Sequence, residues 1–247
     1  MSSPVLTYLP WDSAHFGFRI ARAVSRRLNA GACRELLVAC QDQAIDCLYF
    51  LADAADQETV STLQANSFDL VDIRLTLAGR FNNIPTIAQA ENVLFRLGHE
   101  DDLSALIPIA RTSYLHSRFY VDRRFGSGKA SQMYQTWLQK SFTTDFANAV
   151  VVAELDDLPV GYVTCHLNSP AGEGNIGLVG LADSARGMGC ASGMLQYAIR
   201  WFHEGGFDRC NVVTQGRNIS AQKLYQRCGF VTRSVELWFH KWFTNTN

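Results

Sequence analysis

The sequence predicts an α/β protein with a mixed central sheet, preceded by a smaller α/β N-terminal domain. In the first third of the chain, helical apolar spacing alternates with short apolar runs that are typical of buried strands. The rest of the chain has more strand-like segments than a simple βαβ repeat, with hairpins first and α/β crossovers later. These patterns divide the sequence near residues 85–90, into parts 1–88 and 89–247.

Length and composition limit the class of protein. The 247 residues, 47% hydrophobic and 18% charged, suffice for a sizeable core. The net charge of −1 disfavours a dedicated nucleic-acid binder. The N-terminus lacks a signal-peptide pattern, and no apolar run approaches the roughly 20 residues that cross a bilayer. We therefore expect a cytoplasmic protein without membrane contact.

Cysteine spacing argues against a disulfide framework and against a metal site. The seven cysteines include no C-x-x-C pair and are spread along the chain. Cys33, Cys40 and Cys47 recur every seven residues and could share one helix face. We expect all of them to be small buried hydrophobic residues, and we expect no metal.

The N-terminal part contains two helix–strand units. Asn29 is a candidate N-cap for a first helix, and the apolar run 47–52 (CLYFLA) predicts a buried strand after it. A second helix is predicted over 56–66, and alternating apolar residues over 71–77 predict a half-buried strand. Residues 78–92 contain Gly, two Asn and Pro without a clear period, and they predict a linker.

The C-terminal part predicts a longer series of elements. Residues 113–129 are rich in aromatic side chains and Arg, and they predict an irregular segment. Turn residues at Asp156 and Asp157 indicate a hairpin. The predicted regular elements are, in chain order, a strand (93–98), a helix beginning near 103, a helix containing 133–141, the two hairpin strands (150–155 and 160–167), a strand (176–182), a helix ending at Gly205, a strand (210–215), a helix (219–228) and a strand (235–242).

The most informative segment is ARGMGCASGML (185–195), which lies between a predicted strand and a predicted helix. A glycine-rich turn lets main-chain N–H groups approach a ligand, and a helix N-terminus adds about half a positive charge. This combination suits a pyrophosphate. The dinucleotide fingerprint is not matched, because its last glycine would have to come one residue before Gly193 and because hairpins come first. The P-loop pattern is absent.

Two motifs in this part resemble those of the GCN5-related N-acetyltransferase (GNAT) superfamily. Arg186, Gly189 and Ala191 match its acyl-CoA loop, and residues 218–230 match its next motif in the form N-x-x-A-x-x-L-Y-x-x-x-G-F. The resemblance covers about 93–242. It implies a splayed sheet, acetyl-CoA or another acyl-CoA as donor, direct attack of an amine on the thioester, and no metal.

The resemblance also implies roles for residues. Tyr225 would protonate the departing thiolate, because a phenol with a pKa near 10 stays protonated at neutral pH. The base stays open: residues 176–182 contain no carboxylate, so a water chain or His116 could serve. The implied donor-binding residues, on the strand, the loop and the following motif, are Leu178, Val179, Gly180, Leu181, Arg186, Gly187, Met188, Gly189, Cys190, Ala191, Asn218 and Leu224.

A second resemblance concerns the acceptor. The W-D-x-x-x-F-G element at 11–17, the small N-terminal domain and SYLHSRFY (113–120) resemble the dTDP-fucosamine acetyltransferases. Those enzymes acetylate the 4-amino group of dTDP-4-amino-4,6-dideoxygalactose for a cell-surface polysaccharide. A nucleotide-linked amino sugar is therefore the implied partner, with the guanidinium of Arg118 on a phosphate. The implied acceptor-binding residues are His116, Arg118, Phe119, Tyr120 and Tyr134.

Other functions remain open at the level of sequence. The same fold could acetylate a protein N-terminus, a polyamine or an antibiotic. A binding protein on the same scaffold is also conceivable, although the joint presence of Asn218, Tyr225 and the glycine loop speaks against it. A homodimer is one oligomeric state that the sequence allows.

The two parts of the chain also resemble each other. Residues 61–77 look like a faded copy of 222–238. Aligning Phe68 with Phe230 places Leu63 at the position of Tyr225 and Ser67 at that of Gly229. We therefore hypothesise that the N-terminal domain is a degenerate half of an acetyltransferase unit.

Overall fold

The computed structural model describes residues 5–82 and 92–243, and ten strands and eight α-helices follow one another there. Their bounds agree with most of the predicted elements. They are β1 (Leu6–Tyr8), α1 (Pro10–Phe16), β2 (Ile20–Ala23), α2 (Ala30–Asp42), β3 (Cys47–Asp53), α3 (Gln57–Ala65), β4 (Asp69–Arg80), β5 (Val93–Leu97), α4 (Leu103–Ser113), α5 (Arg118–Val121), α6 (Ser127–Thr143), β6 (Ala149–Leu155), β7 (Leu158–Asn168), β8 (Glu173–Leu181), α7 (Cys190–Glu204), β9 (Arg209–Gln215), α8 (Ile219–Arg227) and β10 (Val231–Trp242).

All ten strands belong to one sheet, in the order β1-β2-β3-β10-β4-β9-β8-β7-β6-β5. The pairs β2/β3 and β8/β9 are parallel and the other pairs are antiparallel, which confirms the predicted mixed α/β sheet. The C-terminal strand β10 lies between β3 and β4, so strands from both predicted parts share this sheet. The boundary predicted at 85–90 lies outside the described residues, and the division into two domains stays a prediction.

Helices cover both faces of the sheet. Alternate residues of β3 and of β6 belong to different apolar clusters, as expected for strands that are buried on both sides. Helices α2, α3, α7 and α8 contribute to the clusters on one face, and α1, α4, α5 and α6 to those on the other. Among the residues that the structure describes, no helix is both long and apolar enough to span a membrane.

Local sequence signals explain several element boundaries. Asn29 caps α2 as predicted, because its Oδ1 accepts a hydrogen bond from Ala32 N at 2.9 Å. Helix α1, which the sequence analysis did not predict, has Pro10 at its first position and ends at Gly17, where φ is 80°. The segment 113–129 is more regular than predicted, since it contains α5 and the start of α6.

Two further expectations were wrong. Ala78–Arg80, which was assigned to the linker, continues β4, where it pairs with β9. Cys47 does not share a helix face with Cys33 and Cys40, because it is the first residue of β3. The seven cysteines are free thiols, and six of them are buried, which confirms their expected character as small hydrophobic residues.

The two helix–strand corners that resemble each other in sequence have the same backbone contacts. Ser67 after α3 has φ 56°, and Gly229 after α8 has φ 90°. The N–H of Phe68 donates to the carbonyl of Leu63 at 3.1 Å, and that of Phe230 donates to Tyr225 at 3.0 Å. The strand of each corner pairs with a strand from the other part of the chain: β4 pairs with β9, and β10 pairs with β3. The degenerate-half hypothesis requires these similarities, and superposing 56–77 on 219–238 remains its test.

Candidate active site

The sheet splays between β8 and β9. Their parallel pairing runs only from Glu173↔Arg209 to Ile176↔Val212. Beyond that point β8 pairs only with β7 and β9 only with β4, so residues 177–181 and 213–215 face each other with unpaired edges. A bulge in β8 opposite Thr164 marks where the strands separate. The splayed sheet implied by the resemblance is thus present.

A cavity of about 380 Å³ lies at this splay. It brings together seven of the predicted site residues: Leu178, Val179, Asn218, Leu224, Tyr225, His116 and Tyr134. The remaining lining residues, which the sequence analysis did not assign to the site, are Ser113, Tyr114, Trp137, Phe146, His166, Gly177, Val213, Thr214, Gln215 and Ala221. None of these lining residues is Asp, Glu, Lys or Arg, so a charged ligand would meet imidazoles, hydroxyl groups, amides and main-chain dipoles but no carboxylate, ammonium or guanidinium group.

Tyr225 lies in the last turn of α8 and is 4% exposed. Its ring packs edge-on against Phe230, with centroids 6.2 Å apart. Burial raises the pKa of the Tyr225 phenol above its usual value near 10, so the hydroxyl is protonated at neutral pH. The side chain can therefore donate a proton to a group in the cavity.

Asn218 connects the cavity to the start of α8. Its Oδ1 accepts the N–H of Ala221 at 3.2 Å and caps the helix. That bond does not use the two amide N–H groups, which are the donors that a ligand carbonyl in the cavity would need.

The predicted acyl-CoA loop has the backbone of an anion-binding turn. Gly187 and Gly189 have φ of 80° and 79°, in the left-handed region that favours glycine. Helix α7 begins at Cys190 with no acidic residue in its first turn. Its first N–H groups have no intrahelical acceptor and carry the positive end of the helix dipole. The loop can therefore accept a pyrophosphate through its main chain.

The side chains of this loop have different environments. Arg186 makes an exposed ion pair with Asp183 at 2.7 Å, and Met188 is 47% exposed. Cys190 is fully buried, and burial raises the pKa of its thiol, so it is not an activated nucleophile. These features favour binding by the main chain of the loop over chemistry by its side chains.

Two of the predicted strand residues lie beyond the cavity lining. Gly180 and Leu181 follow Leu178 and Val179 on β8, at the unpaired edge. A Cβ built on Gly180 would lie 2.5 Å from the ring of Tyr162, so glycine is required there for packing against β7. The predicted contact of Gly180 and Leu181 with the donor would involve their main-chain groups.

Aromatic side chains form the wall on the other side of the splay. Tyr114 and Tyr134 stack with centroids 4.1 Å apart, and Trp137 contacts Tyr134 edge-on at 5.4 Å. Burial raises the pKa of Tyr134 to about 12. The wall continues through Trp11 of α1, which lies 5.8 Å from Trp137, so the W-D-x-x-x-F-G element borders the site.

Arg118, Phe119 and Tyr120 are not part of the cavity lining. Arg118 Nη1 donates to His240 Nε2 at 2.8 Å, and its guanidinium lies 4.1 Å from the centroid of Tyr49. Phe119 is buried in an apolar cluster, and Tyr120 packs against that cluster. The predicted acceptor contacts of these three residues stay predictions. Arg118 would have to leave its present partners to reach a phosphate.

His166 on β7 is the lining residue that the sequence analysis most clearly missed. A signal was present in the predicted strand 160–167, because Tyr162, Thr164 and His166 alternate and must share one face. That face carries three polar groups in an otherwise apolar strand. Such a pattern is unusual for packing alone.

Comparison with known proteins gives a family match for part of the chain and a shared fold for the rest. Residues 112–230 match the model of the acetyltransferase (GNAT) family. A GCN5-related N-acetyltransferase from Sphaerobacter thermophilus is 15% identical, with 96% of this chain and 76% of that chain covered and a TM-score of 0.68. A GCN5-related N-acetyltransferase from Kribbella flavida is 14% identical, with 98% and 88% covered and a TM-score of 0.66.

A third solved structure contains a fungal GCN5-related glucosamine N-acetyltransferase region. It is 14% identical, with 91% of this chain and 30% of that chain covered and a TM-score of 0.62. No curated protein matches the chain. At these identities the structures show a shared fold, and the family model adds the match in sequence. Residues 112–230, just under half of the chain, therefore match the GNAT acetyltransferase family, and the chain has the fold of GCN5-related N-acetyltransferases.

Proposed function

We propose that this enzyme transfers an acetyl or another short acyl group from acyl-CoA to the amino group of a dTDP-linked amino-dideoxy sugar. The observation that carries the proposal is the cavity at the splay, where Tyr225 and Asn218 face an aromatic wall without charged lining residues. The donor side and the acceptor side of the cavity each support one half of the proposal.

On the donor side, the residues present fit acyl-CoA. The unpaired edges at 177–181 and 213–215 offer main-chain donors and acceptors to the amides of a pantetheine arm. The start of α7 would bind the pyrophosphate through its N–H groups. Acyl-CoA would supply the thioester that the amine attacks. Tyr225 would then give its phenolic proton to the departing sulfur.

On the acceptor side, the aromatic wall favours an amino sugar over a polycation. A polyamine would bring several positive charges into a cavity whose lining has no carboxylate. Aromatic faces can instead pack against the apolar face of a sugar ring, as in many small-molecule sites. The fungal structure reported above is named for glucosamine N-acetylation, which shows that an enzyme with this fold can use an amino sugar.

Residues at the border of the site support the proposal that the acceptor carries a nucleotide. Trp11 stacks on His15 with centroids 4.9 Å apart and adjoins Trp137, which forms a surface on which a base could stack. Lys140 Nζ lies 5.3 Å from the centroid of Trp11 and places a positive charge there. These groups supply the two features, aromatic and cationic, that a nucleoside diphosphate requires.

A thiol-release assay tests the proposed function. Acetyl-CoA and longer acyl-CoAs are combined with dTDP- and UDP-linked amino sugars, spermidine and peptides with a free N-terminus. We expect the highest kcat/KM with a dTDP-linked amino-dideoxy sugar. A preference for spermidine or for peptides would contradict the proposed acceptor, and the absence of any transfer would contradict an active enzyme.

Ala191→Glu tests the donor half. A carboxylate in the first turn of α7 interacts favourably with the helix dipole, so the fold should keep its stability. The same carboxylate repels a pyrophosphate bound at that turn, and we expect the Kd for CoA to rise about 10-fold in calorimetry. Gly128→Glu, in the first turn of α6, makes the same charge change away from the loop and should leave the Kd unchanged. Equal affinities for both variants would place the pyrophosphate elsewhere.

A further inference from the structure

His166 is held against the point where the sheet splays. It lines the cavity, and a Cβ built on Gly177, in the bulge of β8, would lie 2.4 Å from its Nε2. Any side chain at position 177 would displace the ring. The imidazole is therefore in direct contact with the bulge of β8, where the sheet splays.

The hydrogen bonds of the ring determine its tautomer. Thr164 Oγ1 accepts the N–H of Leu178 at 2.7 Å and lies 3.1 Å from His166 Nε2. The main chain of Phe146 also raises the pKa of the ring, as a carbonyl does when it interacts with a ring N–H. Because Nε2 faces Thr164, the N–H towards Phe146 is on Nδ1. Nε2 is then the nitrogen with a lone pair, and the Thr164 hydroxyl, whose hydrogen can rotate, must turn away from it before Nε2 accepts another proton.

We propose that His166 is the general base of the acyl transfer, with Nε2 receiving the proton that the acceptor amine loses. The inference rests on the proposed function, since it assigns a role in that reaction. It also answers the open question of the base, because among the lining residues only His166 and His116 carry a basic side-chain nitrogen. His116 is exposed, whereas His166 is half-buried and held by two partners.

The proton balance of the step is complete. The amine nitrogen forms a bond to the thioester carbon, and the carbon–sulfur bond breaks. Nε2 of His166 takes the proton that the nitrogen loses, and Tyr225 gives its phenolic proton to the sulfur. Solvent then returns a proton from the imidazolium to the phenolate, so both residues are restored without any further reactant.

The protonation state of His166 suits this role. Burial lowers the pKa of the imidazole below its usual value of 6.5, and the bond to Phe146 only partly opposes this. The ring is thus neutral at physiological pH and becomes charged only as the pH falls below that value. The other titratable lining groups are His116 and the phenols of Tyr114, Tyr134 and Tyr225. The phenols stay neutral because burial raises their pKa.

His166→Gln and His166→Ala test the proposal, with the best amine of the panel above as acceptor. We expect kcat/KM to fall about 10²–10⁴-fold in both variants, with an almost unchanged Kd for CoA. The acidic limb of the wild-type pH profile should disappear in His166→Gln. Added imidazole should partly restore the rate of His166→Ala. His203→Gln, in the last turn of α7 and outside the cavity lining, should behave as wild type.

The results separate this proposal from the proposed function. A wild-type enzyme that is inactive with every amino sugar contradicts the proposed function, and His166 is then tested with whichever other amine is a substrate. An active wild type together with a normal kcat/KM and an unchanged acidic limb in His166→Gln contradicts only the role of His166. Loss of rate without imidazole rescue and with weaker CoA binding would indicate a structural role and would also overturn it.

Discussion

Tyr225→Phe is expected to lower kcat about 10²–10⁴-fold while leaving the Kd for acyl-CoA almost unchanged. The substitution removes only the hydroxyl. The ring that packs edge-on against Phe230 remains, and so does the main chain of α8. The missing atom is the proton donor for the departing sulfur, so its loss affects the transition state more than the bound donor. Single-turnover thiol release separates the chemical step from CoA release.

The pH dependence of the wild type checks the same assignment. Because burial raises the pKa of Tyr225, the phenol stays protonated over the whole range in which the enzyme is assayed, and it should produce no basic limb there. Tyr197→Phe, on α7 and outside the cavity lining, removes a hydroxyl without changing the rate. Near-normal turnover of Tyr225→Phe would remove Tyr225 from the mechanism.

The donor side of the site could be predicted from sequence because its chemistry depends on local backbone. Gly187 and Gly189 occupy positive φ in a single turn, and Asn218 caps the helix that carries Tyr225. Each of these requirements is met within about one helical turn, so each leaves a motif of fixed spacing. The same holds for α2, whose N-cap Asn29 and buried Cys33 follow helical rules.

The acceptor side could not be predicted in the same way, because it is assembled by long-range pairing. The position of β10 between β3 and β4 brings His240 next to Arg118, and no local pattern records this contact. An Arg that seemed available for a phosphate is thereby engaged inside the protein. His166 was missed for a related reason, since its role depends on where β8 separates from β9.

The buried network around Asp122 links the segment before the acceptor wall to the C-terminal strand. Asp122 Oδ2 accepts hydrogen bonds from His240 Nδ1 at 2.7 Å and from Trp242 Nε1 at 2.8 Å. His240 is fully buried and Asp122 is 7% exposed. Burial lowers the pKa of His240 to about 4, so the ring is neutral and its Nε2 can accept from Arg118.

Asp122→Ala is therefore expected to lower the free energy of unfolding by about 3–5 kcal/mol, measured by urea denaturation at neutral pH. The variant leaves the N–H groups of His240 and Trp242 without their acceptor, and the His240 ring is fully buried. Asp122→Asn keeps the shape of the side chain and one acceptor oxygen, so its free energy of unfolding should fall clearly less. Asp145→Ala, at an exposed position, should change stability by less than about 0.5 kcal/mol. If Asp122→Ala were as stable as Asp145→Ala, the network would not hold β10 to α5, and the reason for keeping Arg118 away from the acceptor would be lost.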